Sequence, residues 1–181
     1  MGACSNLKYL QPGQALYTGA DVKINPDSAK KTSGEKDLQE TLEDLSRPEP
    51  NKKFLGLRYK LFFYNLAEEN KKSKGIRYWI RNKMGEPPVL MSQVNTNSNV
   101  NILRSYLISK GYLQAQGDGE TVVKGKKGKA VYKIYTQDRY TINNISFPVV
   151  DTSFEITRII NEKNNKTLLK KGDYYDLDVF K

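Results

Sequence analysis

The stretch that decides the fold is Asn99-Val100-Asn101-Ile102-Leu103-Arg104-Ser105-Tyr106-Leu107-Ile108-Ser109-Lys110-Gly111-Tyr112, together with Lys124-Gly125-Lys126-Lys127-Gly128-Lys129 and Ala130-Val131-Tyr132-Lys133-Ile134-Tyr135. Val100, Leu103, Tyr106 and Leu107 share one helical face. Polar residues from Asn95 to Asn99 can accept the orphan N–H groups at the helix start. Gly111 stands just past the last periodic residue, where a left-handed cap is cheap only for glycine. From Tyr112 the chain reads as a strand, Leu113 to Val123, with Leu113 and Ala115 on one side. The lysine-glycine run is a reversal. Ala130 to Tyr135 returns as the most regular strand, with Ala130, Tyr132 and Ile134 on one face. The spacing predicts helix, strand, hairpin, strand.

Upstream, Leu16 to Ile24 is a strand candidate closed by Asn25-Pro26, and Asp27 to Lys36 is a charged loop. Asp37 to Leu45 is a short helix with Leu38, Leu42 and Leu45 on one side, stopped before Pro48. Phe54 to Leu66 fits both a strand alternation and a helical spacing, and its length favours helix. Ile76, Trp79, Ile80 and Met84 mark another short helix between Gly75 and Gly85. Glu86-Pro87-Pro88-Val89 cannot be helix interior. Downstream, Tyr140 to Phe147 reads as a strand, the region of Phe154, Ile156, Ile159 and Ile160 as a helix, and Lys170 to Asp176 as a polar turn.

Composition narrows the chemistry. The 181 residues carry 30 Lys+Arg against 20 Asp+Glu, a net charge of +10 that favours anionic partners or serves solubility alone. The chain has no histidine, so it lacks the commonest general base and metal ligand. A single cysteine, Cys4, excludes an internal disulfide and a cysteine-rich zinc site. No apolar stretch reaches the ~20 residues a membrane helix needs. Met1-Gly2-Ala3-Cys4 places small residues before that cysteine, as at the end of a bacterial lipoprotein signal, and an inconsequential free thiol fits as well.

Two places share one order. Tyr17 to Val22 is a strand followed by a helix, the Gly85-Glu86 turn and a second helix. Tyr140 to Ile145 is a strand followed by a helix and the Gly172-Asp173 turn. The order β-α-α-β-β, with Ser109-Lys110-Gly111-Tyr112 closing the second helix, resembles the POTRA domain of Omp85-family outer-membrane proteins such as BamA and TamA. Arg47-Pro48-Glu49-Pro50, Gly85-Glu86-Pro87-Pro88, Cys4-Ser5-Asn6 and Lys8-Tyr9-Leu10 are similar to the TamA-like lipoproteins (TamL type) of Bacteroidetes. The resemblance implies an α+β fold of POTRA-like modules, each a three-stranded mixed sheet covered by two helices, one complete and one partial. Residues 1–15 would be a lipoprotein-like linker, 16–139 the first module with a basic aromatic insertion at about 47–85, and 140–181 the first half of a second. It further implies lipidation at Cys4 and a place at the periplasmic face of a Gram-negative outer membrane. Partners would be unfolded outer-membrane proteins or assembly-complex subunits, the C-terminal β-barrel of a longer parent protein, and outer-membrane lipid. No series of alternating barrel strands is present in this sequence.

Chemistry beyond binding finds little support. Lys124 to Lys129 lacks the Gly-Lys-Ser/Thr entry into a helix that a phosphate loop requires. Glu43-Asp44 and Glu68-Glu69 are adjacent pairs, which diverge on a helix and do not face one substrate. The reading is non-enzymatic, with no cofactor. Arg58, Phe62, Tyr78, Trp79 and Arg81 sit among alternating basic and aromatic residues and offer a docking or lipid-facing surface, or a packed extension of the core with snorkelling cations. A nucleic-acid-binding module is the competing function, read from the same residues. The favoured function is capture of client polypeptides by strand addition at an edge formed by Leu113, Gln114, Ala115 and Gln116, with Ala130 to Tyr135 central.

Overall fold

The computed structural model describes residues 6–25, 34–66, 75–146 and 168–180. Cys4 and the helix expected through Phe154, Ile156, Ile159 and Ile160 lie outside the described residues. The chain forms two compact units, residues 1–103 with 117–134, and residues 104–116 with 135–181.

The first unit is α+β, built on strands β1 (Leu16–Ile24), β2 (Gln116–Lys124) and β3 (Lys127–Tyr135) in the order β1-β3-β2. β1 runs parallel to β3, from Leu16 opposite Lys127 to Ile24 opposite Ile134, with an irregularity between Tyr17 and Ala20. β2 and β3 form a hairpin, so the sheet is mixed and β3 is its centre. Tyr17, Val22, Ala130, Tyr132 and Ile134 are buried from the sheet side. Helices α1 (Glu35–Leu45) and α4 (Thr96–Ser109) supply Leu42, Val100 and Leu103 to the same core. The order of strands and these two helices is the β-α-α-β-β arrangement.

Helix α1 follows the expected spacing, with Leu42 wholly buried and the acidic Glu35 and Asp37 in a first turn that favours negative charge. Within the segment expected as a linker, Leu7 and Leu10 are held in place. Leu10 is buried with Leu16 and Leu61, and the Lys126 ammonium donates to the carbonyls of Leu7 (3.2 Å) and Leu10 (2.7 Å).

Between α1 and α4 lies the insertion. Helix α2 occupies only Tyr59–Leu66, because Phe54 and Leu57 exchange backbone hydrogen bonds of 2.9 and 3.0 Å around Leu55-Gly56. Both turn residues have positive φ, 49° and 79°, so the helix expected from Phe54 is broken by a glycine-dependent reversal. Helix α3 (Ile76–Trp79) continues into a π-helical turn, Ile80–Met84, that packs on α2. A Cβ on Gly85 would strike the Arg81 carbonyl and lie 2.7 Å from Tyr64 Cα, so this approach needs glycine.

In the second unit the strand expected at Tyr140 to Phe147 is, over the described residues, a single antiparallel bridge between Thr141 and Tyr174. Backbone bonds extend it from Tyr175 N–H to Tyr140 C=O (2.9 Å) and from Ile142 N–H to Asp173 C=O (2.8 Å). Tyr140 N–H donates to Gly111 C=O at 2.8 Å. Gly111 has φ 92°, and a Cβ there would come within 2.6 Å of the Tyr175 carbonyl oxygen. The expected cap is therefore also a point of close approach.

Candidate functional site

Sheet order leaves two outer edges, and they differ. On β1, Leu16 bridges Leu90, Tyr17 N–H donates to Val89 C=O (2.8 Å), and Met91 N–H donates to Ala15 C=O (2.9 Å). Further along, Val22 N–H donates to Glu43 Oε1 at 3.1 Å, and that carboxylate is steadied by Gln39 Nε2 at 3.2 Å. A proline-rich segment and a helix side chain thus cover the β1 edge, which would otherwise invite pairing.

The β2 edge is open along its length among the described residues. Lys124 and Lys127 flank a two-residue turn, Gly125-Lys126, with Gly125 at φ 60°, the position a type II′ turn gives to glycine. Such a turn makes Lys124 and Lys127 a hydrogen-bonded pair, and bonded pairs alternate along the ladder. The same count places Gly119 opposite Tyr132 and Gly117 opposite Ile134, whose side chains are the nearest neighbours of those glycines. The Lys126 carbonyl, in the turn, and the Ile134 carbonyl, on β3, serve β1, receiving Leu16 N–H (3.0 Å) and Asn25 N–H (2.7 Å), so the odd-numbered residues of β3 serve β2. It follows that Gly117, Gly119, Thr121 and Val123 direct their N–H and C=O groups away from the sheet.

Those glycines do more than interrupt a strand. A Cβ on Gly119 would lie 2.9 Å from the Tyr132 ring and 3.1 Å from Thr96 Cβ, and one on Gly117 would lie 2.7 Å from Ile134 Cδ1. Glycine lets bulky β3 side chains and α4 fill the inner face, while the outer backbone stays bare.

Of the four edge residues expected from sequence, only Gln116 is in a strand, as its first residue, and its N–H faces β3. Leu113 and Gln114 are in a turn closed by Ala115 N–H to Tyr112 C=O, 3.1 Å. Ala115 is buried, its carbonyl accepting from Arg104 Nε at 3.1 Å, and Gln114 Nε2 donates to the Tyr140 hydroxyl at 3.0 Å. The open edge is displaced toward the hairpin, to Gly117–Val123.

The insertion residues are positioned by α2, α3 and the π turn. Phe62, Tyr78 and Trp79 are exposed, as are Phe54, Leu55, Leu57, Leu66 and Ile76. The packed-core alternative holds only for Leu61, the one residue of α2 that is buried. Arg81 stacks on the Tyr64 ring, 3.9 Å from its centroid, and donates to the Tyr64 carbonyl at 3.1 Å, so it braces α2. Arg58 Nε and one terminal nitrogen are out of solvent without an acceptor, and burial pushes the guanidinium pKa down.

Two asparagines have roles that the sequence reading does not assign: Asn99 stands only among the helix-start acceptors, where Asn95 takes the Ser98 N–H at 3.0 Å, and Asn51 is not singled out. Asn99 accepts from Arg47 N–H (2.9 Å) and donates to Arg47 C=O (2.6 Å) and the Tyr132 hydroxyl (2.7 Å). Asn51 donates to Pro87 C=O (2.8 Å) and Glu86 Oε1 (3.2 Å), and accepts from Val89 N–H (2.9 Å). Both are buried, and each pins one of the proline segments that the sequence made conspicuous. The signal was available, since proline removes donors and leaves neighbouring backbone groups in need of side-chain partners.

Among the described residues no group of three or more acidic or cysteine side chains could hold a metal, and no helix is long and apolar enough to cross a membrane. No family model and no curated protein matches the chain. Among solved structures it is similar to the crystal structure of Haemophilus influenzae BamA POTRA3-5, with 11% identity, a TM-score of 0.29, and coverage of 95% of this chain and 85% of that one.

Proposed function

We propose that this protein is a non-enzymatic, POTRA-like polypeptide-binding module of an outer-membrane protein assembly or translocation factor, working at the periplasmic face of the outer membrane. The observation that carries it is the asymmetry of the sheet. One edge is covered by Val89–Met91 and Glu43, and the other presents bare backbone from Gly117 to Val123. Strand addition at β2 takes clients of varied sequence, because main-chain groups are common to all of them. Clients on this reading are unfolded outer-membrane proteins or subunits of an assembly complex, and lipidation at Cys4 would hold the module near them.

Proline distinguishes the two faces of the ladder. Thr121→Pro removes an outward N–H and should weaken crosslinking of an unfolded outer-membrane protein to a photoreactive residue at Val123, while leaving the fold intact. Glu120→Pro removes an inward N–H and should lower thermal stability. A photoreactive residue at Glu40 on α1 is the control. Equal crosslinking from Val123 and Glu40 sinks strand addition at this edge.

A further inference from the structure

The insertion combines two features that soluble surfaces usually keep apart. Its apolar side chains are the most exposed in the first unit, with Leu55 at 87%, Ile76 at 78%, Phe54 at 66% and Trp79 at 53% of full accessibility. Its charge is strongly of one sign: residues 51–85 hold ten Lys or Arg against two acids, Glu68 and Glu69. Among the described residues, Glu86 lies 3.9 Å from Lys60. Exposed apolar groups on this scale mark an interaction surface.

We propose that the insertion docks onto an anionic lipid surface, with Phe54, Leu55, Ile76 and Trp79 entering the headgroup region while Arg77 and Lys83 meet lipid phosphates. The most exposed members are aliphatic, and Leu55 and Ile76 gain from hydrocarbon contact but offer no ring for a base to stack on. Trp, Tyr and Phe beside Arg and Lys are the residues that settle at a membrane interface, with rings at headgroup depth and cations toward phosphate. The surface shares no residue with the β2 edge and stands whether or not that edge binds clients.

Trp79 is the chain's single tryptophan, so its fluorescence reads this surface directly. Phosphatidylcholine vesicles containing phosphatidylglycerol should shift Trp79 emission to the blue and sediment the protein, and brominated lipid should quench it. Pure phosphatidylcholine should do so far less. Leu55→Ser with Ile76→Ser, both exposed and so compatible with an unchanged circular dichroism spectrum, should lower partitioning about tenfold or more. Arg77→Gln with Lys83→Gln should weaken binding to anionic vesicles selectively. No blue shift or quenching with anionic vesicles overturns the proposal. So does binding that is unaffected by the serine pair. A shift produced by single-stranded oligonucleotide and not by vesicles would assign the surface to nucleic acid instead.

Discussion

Tyr17 has the least comfortable hydroxyl among the described residues. Its side chain is fully buried in the sheet core, and the hydroxyl has no hydrogen-bond partner. Burial, reinforced by the neighbouring Tyr132, pushes its pKa up to about 12 from the ordinary 10.0. The neutral form is what the fold stabilises, so this contribution is complete below the unfolded pKa and is lost as pH rises through the folded one. Tyr132 is shifted the same way by burial, with the Asn99 hydrogen bond working against the shift. Alkaline unfolding should therefore begin above about pH 10. Tyr17→Phe deletes a buried hydroxyl that makes no bond, and stability at neutral pH should hold or rise by about 1 kcal/mol. Urea melts at neutral and alkaline pH check both points. A clear loss at neutral pH would mean that the hydroxyl has a partner.

At the scale of elements, the end of α4 shows how a short motif organises the chain beyond it. Gly111 turns left-handed against the Tyr175 carbonyl, and Arg139 donates to Lys110 C=O at 2.7 Å while lying over the rings of Tyr112 and Tyr174. Lys110 Nζ sits 2.9 Å from Asp176 Oδ2 and 2.8 Å from Asp178 Oδ2. Its bonds to Asp178 and Asp176 raise the lysine pKa, and the bond from Lys110 depresses that of Asp176. Stability from Asp176 is thus full above the ordinary carboxylate pKa of 3.8 and fades as pH falls below it. Gly111→Ala should cost about 2 kcal/mol or more through strain and overlap, seen as faster amide exchange at Tyr140 and Tyr175. Asp176→Asn should reproduce the acid effect at neutral pH, at about 1 kcal/mol. Unchanged exchange in Gly111→Ala would show that the 172–178 segment does not depend on this cap.

Elements with their own periodicity were legible in the sequence: β1, α1, α4 and β3 declare their buried faces through Tyr17, Leu42, Leu103 and Tyr132. The start of β2 was not, because Leu113 and Ala115 alternate like a strand while their backbone is spent on a turn and on Arg104. Glycine is ordinarily a weak point in a strand, and only the packing of Tyr132, Ile134 and Thr96 reveals the purpose of Gly117 and Gly119. The insertion left two readings open, an exposed surface and a packed core, because α2 has enough apolar residues to suggest a core. Their exposure depends on where the rest of the chain folds, which local spacing does not encode.

Across the whole molecule, charge and backbone are distributed unequally. The insertion carries a large excess of positive charge, while the bare backbone belongs to β2. Raising ionic strength should therefore weaken the lipid contact and leave strand addition nearly untouched, since the latter rests on main-chain hydrogen bonds. Parallel salt titrations of vesicle binding and of client crosslinking separate the two. If both fall together, one surface serves both ligands.

The parallel register of β1 on β3 also has a mechanical meaning. Traction applied ahead of Leu16 and beyond Ile134 pulls two parallel neighbours from opposite ends, so the ladder from Leu16–Lys127 to Ile24–Ile134 is loaded in shear, with its bonds sharing the force. Antiparallel β2 and β3, pulled at Gln116 and Tyr135, would instead unzip one pair at a time. Single-molecule stretching between handles at Gln14 and Thr136 should give a higher rupture force than handles at Gln116 and Tyr135. A domain tethered at its front end and drawn on from behind would hold its shape along the first of these directions and yield along the second.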